Sequence, residues 1–80
     1  MDRVFEEMAE RWQSPIVART QIKVFTGGTM NEKYIANLDS AGLGPAGRFR
    51  VGRKVVYPVR ELVEWLESRS AVIPDRHRAE

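Results

Sequence analysis

Residues 48–66, RFRVGRKVVYPVRELVEWL, carry both the strand-like and the helical patterns from which the architecture can be read. Arg48-Phe49-Arg50-Val51 alternates polar and apolar side chains, the period-2 pattern of a strand, and Val55-Val56-Tyr57 supplies a second run after the turn residues Gly52, Arg53 and Lys54. The loop between them has two readings. A two-residue Gly52-Arg53 turn suits a type II′ hairpin but pairs Val51 with Lys54, whereas a three-residue loop pairs Val51 with Val55 and Phe49 with Tyr57. The second is expected, because it gathers these apolar side chains on one face and leaves Arg48 and Arg50 on the other. Pro58 then stands at a helix start, and Val59, Leu62, Val63 and Leu66 recur at i, i+3, i+4 and i+7, with Trp65 on the flank of that stripe.

Upstream, Ala18, Ile22 and Phe25 fall at helical spacing, which predicts a short helix from about Ala18 to Thr26, ended by Gly27-Gly28. Thr29-Met30-Asn31-Glu32 has the form of a capping box, with the Thr29 hydroxyl at the Glu32 amide and the Glu32 side chain reaching back. The helix it starts is expected to bury Met30, Tyr34, Ile35, Leu38 and Ala41, to expose Asn31, Lys33, Asn37 and Ser40, and to close at Gly42. Two short helices joined by a Gly-Gly-Thr turn have helix-turn-helix spacing. Gly44-Pro45-Ala46-Gly47 reads as a loop. Nearer the start, Asp2 is placed to cap a first helix with the stripe Phe5, Met8, Ala9 and Trp12, interrupted by Gln13-Ser14-Pro15. Beyond Arg69 no period is readable, and residues 70–80 are expected to be a tail.

Eighty residues fill one core and not two. The absence of cysteine excludes disulfides and thiolate-zinc sites and points to a reducing, cytoplasmic setting. The acidic opening MDRVFEEMAERW lacks the basic and apolar regions of an export signal, and no apolar run is long enough to span a membrane. The net charge of +2 is unevenly spread. Residues 1–18 carry two cations against four carboxylates, and residues 58–80 carry four against five. Between them, Arg19, Lys23, Lys33, Arg48, Arg50, Arg53 and Lys54 face only Glu32 and Asp39, a basic centre suited to a polyanion.

Catalysis is not expected, nor is a cofactor or a metal. His77, the single histidine, lies in the tail; Glu61, Glu64 and Glu67 mark the solvated face of the last helix; Gly42, Gly44 and Gly47 follow a helix and precede a strand, the reverse of a dinucleotide cradle. Trp12 and Trp65 belong to apolar stripes and read as core. Arg48, Arg50, Arg53 and Lys54 are the sharpest local feature, because guanidinium forks bind phosphate in bidentate fashion and a hairpin tip reaches the groove beside a helix. The expected class is mostly α with a small β-hairpin. Its order of helix, helix, helix, strand, strand, helix places a winged helix-turn-helix over residues 16–69 behind an additional helix at 1–13.

The pieces RTQIKVFTGG, TMNEKYIANLDSAG, GLGP, RFRVGRKVVYP and VRELVEWLESR resemble the phage excisionase and AlpA-like branch of the MerR-type winged-helix proteins. This resemblance implies sequence-preferring binding to double-stranded DNA, either as a recombination directionality factor working with an integrase or recombinase, or as a prophage transcriptional regulator. A single module buries little surface on DNA, so a homo-oligomer or cooperative assembly on DNA is expected. Carried over by position, Asn31, Glu32, Lys33, Tyr34 and Asn37 lie on the recognition helix and Arg48, Arg50, Arg53 and Lys54 on the wing. Arg19 and Lys23, from the basic centre, join them as candidate DNA contacts. The chain departs from the family at Ala18, where Ser or Thr often caps that helix, and in its N-terminal helix. An adaptor or antitoxin-like protein-interaction module on the same scaffold is the alternative.

Overall fold

A computed structural model describes residues 3–73. The described elements run α1 (Arg3–Arg11), β1 (Ile16–Ala18), a 3-10 turn (Arg19–Gln21), α2 (Ile22–Phe25), α3 (Glu32–Ser40), β2 (Phe49–Val51), β3 (Lys54–Pro58) and α4 (Val59–Ser68). The sheet is antiparallel with β3 in the centre, β1 on one side and β2 on the other.

The core is organised by α4, whose Val59, Leu62, Val63 and Leu66 are all buried, as their spacing requires. Each such side chain contributes about 1.5–3 kcal/mol by leaving water. Ala9 meets this stripe from α1, with Phe5, Met8 and Trp12 packed around it. Val17 and Tyr57 enter from the sheet, and Ile22, Phe25 and Ile35 from the short helices. Trp12 sets its ring edge-on to Phe25 at 5.1 Å and donates from Nε1 to the Ile16 carbonyl at 2.9 Å, joining the end of α1 to β1.

Four expectations need correction. The helix read from Ala18 starts later: Ile16–Ala18 is a strand paired with β3, the chain then makes a 3-10 turn, and α2 is only Ile22–Phe25. Pro15 and the β-branched pair Ile16-Val17 favour extended backbone, and pairing with β3 gives their peptide groups partners. Ala18, at φ −68° and ψ 144°, has no side-chain oxygen to cap a helix. The expected stop does hold: Gly27 and Gly28, at φ 65° and 88°, let their amides donate to the Val24 and Lys23 carbonyls.

The capping box is absent, and α3 starts at Glu32 with Asn31 as its cap, its Oδ1 accepting from the Tyr34 amide at 2.8 Å. Thr29 Oγ1 instead donates to the Thr26 carbonyl at 2.9 Å, so the turn before α3 engages the hydroxyl that the box required. On the inward face of α3 the buried residues are Ile35 and Asp39; Leu38 is half-buried, and Tyr34 and Ala41 are exposed. Gly42 closes the helix as expected, with the Leu43 amide donating to the Leu38 carbonyl at 2.8 Å.

The hairpin adopts the two-residue turn: Val51 pairs with Lys54, Arg50 with Val55 and Phe49 with Val56, around Gly52 at φ 63°. A tight turn whose twist matches the strands outweighs burial here, because β2 is an edge strand. Phe49 and Val51 therefore stay 45% and 53% exposed on the face away from Tyr57, while Arg50 shares the face of Val55. Pro58 ends β3 and caps α4, and the Val59 amide donates to the Pro15 carbonyl at 2.8 Å. Asp2 and His77 lie outside the described residues.

The cap assignment is open to a stability test. Asn31→Ala should cost about 1 kcal/mol in denaturant unfolding, while Glu32→Ala should change stability by less than about 0.5 kcal/mol; the opposite ranking would restore the capping box.

Candidate functional site

Asp39 has no apolar reason to face inward, and its burial at 5% exposure requires partners. Its Oδ2 accepts from Tyr57 Oη at 2.5 Å and from Arg19 Nη2 at 2.6 Å, and Arg19 Nε donates to Tyr57 Oη at 3.0 Å. The triangle ties α3 to β3 and to the 3-10 turn. Its other oxygen, Oδ1, has no hydrogen-bond partner and faces Arg48 Nη1 at 3.8 Å. Gly44 packs so closely that a Cβ there would overlap Oδ1. Losing one partner of a buried ion pair typically costs about 3–5 kcal/mol, since the other charge is left uncompensated.

Burial and the hydrogen bond to Asp39 push the Tyr57 phenol up to about 12, against a smaller opposing pull from Arg19. Burial lowers the Arg19 guanidinium, but its hydrogen bonds to Tyr57 and Asp39 outweigh that and hold it above its ordinary value. Arg19, read from sequence as a DNA contact, is therefore already engaged within the fold; 22% of its side chain remains accessible.

At 100° per residue around α3 from Ile35, Lys33, Asn37 and Ser40 lie on the far, solvent side, and all three are exposed. Glu32, Ala36 and Asp39 lie toward the hairpin. A cleft of 590 Å³ separates the two, lined by Arg19, Ala36, Asp39, Ser40, Arg48, Phe49, Arg50 and Val55. A neighbouring recess is lined by Arg19, Thr20, Glu32, Arg53, Lys54 and Val55. Arg50, Arg53, Lys54 and Lys33 make no ion pair among the described residues, and all are exposed.

Of the remaining candidates, Asn31 uses its side-chain oxygen as a cap, and Lys23 is exposed on α2 but lines neither recess. Tyr34 is 43% exposed, with its hydroxyl accepting from Arg69. The sequence reading missed Asp39 as an organising residue, although its position four after Ile35 puts it on the inward face.

No protein-family model, curated protein or solved structure matches this chain. Among the described residues no cluster of three His, Cys, Asp or Glu side chains is arranged to hold a metal ion, and no helix is long and apolar enough to cross a membrane. The exposed groups along α3 and the hairpin are predominantly cations and hydrogen-bond donors. Such an array complements an extended anion, because guanidinium forks match phosphate and carboxylate oxygens.

The network sets a pH response. The unfolded chain releases the Tyr57 proton near 10.0 and the folded chain near 12, so the folded state binds more protons in that window and loses stability as pH rises through it. Melting temperature should fall across this range and fall less in Tyr57→Phe; parallel profiles for the two proteins would contradict the assignment.

Proposed function

We propose that the chain binds double-stranded DNA as a winged helix-turn-helix module, with α3 as the recognition helix in the major groove and the β2–β3 hairpin as a wing on the backbone or minor groove. The observation that carries this reading is that the hairpin cations Arg50, Arg53 and Lys54, exposed and without an ion-pair partner among the described residues, line recesses shared with α3, whose solvent face bears the exposed Lys33 and Asn37. A major groove about 12 Å wide admits one helix, asparagine pairs with adenine, and lysine reaches guanine or phosphate. The hairpin cations then meet phosphate and fix register, which carries no sequence information by itself.

The resemblance to excisionase and AlpA-like proteins makes the biological role recombination directionality beside an integrase, or transcriptional control, in a cytoplasmic prophage setting. A single module covers only about 600–1,000 Å² of protein surface on DNA, so useful selectivity comes from dimers or adjacent copies. The protein-interaction alternative draws on one observation, the exposed apolar pair Phe49 and Val51 on the outer sheet face.

Duplex binding titrated with salt tests the reading. With about four to five phosphates neutralised, log K should fall against log[salt] with a slope near −4. Arg53→Ala should make the slope shallower by about 1 on every sequence, while Asn37→Ala should relax preference at one base position. A flat salt response, or no duplex binding at low salt, would favour the protein-interaction reading.

A further inference from the structure

The hairpin supplies cations to only one side of α3. On the other side, Tyr34 lies about 100° from Ile35 and its Oη accepts from Arg69 Nη2 at 3.0 Å. Arg69 is the C-cap of α4, and its guanidinium carbon lies 5.0 Å from the centroid of the Trp65 ring. That ring is itself fixed, since Trp65 Nε1 donates to the Leu43 carbonyl at 2.9 Å. Arg69 is exposed, makes no ion pair among the described residues, and lines an open recess with Thr29, Met30, Asn31 and Tyr34.

We propose that Arg69, oriented by Tyr34 and Trp65, is a second phosphate clamp, holding the DNA strand on the side of α3 away from the hairpin. This rests on the DNA reading above. A groove is bordered by two phosphate strands, and a helix lying in it with cations on one flank engages only one of them. Arg69 completes the other flank. A guanidinium has five N–H donors, and Tyr34 takes only one, so a fork remains for phosphate oxygens. A side chain already held against an aromatic ring loses less freedom on binding than a free one. Arg69 escapes a charge count because it follows Glu61, Glu64 and Glu67 in an acidic segment, and only the fold brings it beside α3.

The test uses the full chain with salt-titrated binding to one duplex and phosphate-ethylation interference on both strands. Arg69→Gln should make the salt slope shallower by about 0.9 and weaken binding roughly three- to tenfold on specific and random duplexes alike. Interference should disappear on one strand and persist on the strand held by the hairpin. Arg69→Lys, which keeps the charge but not the fork, should recover the slope without the full affinity. Unchanged slope and two-strand interference in Arg69→Gln would overturn the clamp while leaving the DNA reading intact, provided Arg53→Ala lowers the slope. Equal loss of slope in Arg69→Lys and Arg69→Gln would also overturn it, since charge would then not be the operative property. A wild-type chain without salt-dependent duplex binding would remove both proposals together.

Discussion

A carboxylate placed where an apolar side chain is expected constrains the rest of this small protein. Asp39 lies on the inward side of α3 beside Ile35, and its charge is compensated through Arg19 and the Tyr57 hydroxyl. A buried charge is costly unless its partners are well aligned, so the geometry tolerates little drift. The Tyr57 hydroxyl comes from the central strand and Arg19 from the turn that leads into α2. One anion thereby fixes the rotation of α3 against the sheet and against the preceding helix. With Ile35 and Asp39 inward, Lys33 and Asn37 have no direction but outward.

The same interaction sorts the basic residues of the chain centre into groups. Arg19 is held in the fold, with most of its side chain covered. Arg48 lies between the groups, 3.8 Å from the second oxygen of Asp39 and 45% exposed along its side chain. Arg50, Arg53, Lys54 and Lys33 remain exposed on the hairpin and α3. Composition counts all of these as equal positive charges. Burial separates them, because a cation committed to a buried anion is not free for an external one.

The legible parts of the fold were those in which a pattern repeats several times. The stripes of α1 and α4 each extend over two turns, and both pack as their periodicity indicated. Gly27, Gly28 and Gly42 were readable as helix stops because a positive φ suits glycine above other residues. Three-residue β1 offers too little alternation to compete with the helical spacing of Ala18, Ile22 and Phe25. In the hairpin, the alternation of Phe49 and Val51 has the pattern of core residues, but turn geometry at Gly52 sets their side instead. In α3 the cap lay two residues beyond Thr29, at Asn31, since Thr29 is occupied by its own turn. At the candidate site, the outward direction of Lys33 and Asn37 was readable from helical phase. The attachment of Arg19 to Asp39 spans twenty residues and has no local signature.

Backbone amide NMR during titration with duplex DNA reports which elements meet the added duplex together. If α3 and the hairpin bind DNA as one surface, shifts should appear together at Lys33, Asn37 and residues 50–54, with the amides of Asp39 and Tyr57 keeping their folded-state dispersion. Shifts confined to the acidic outer faces of α1 and α4, or none at α3, would contradict such a shared surface.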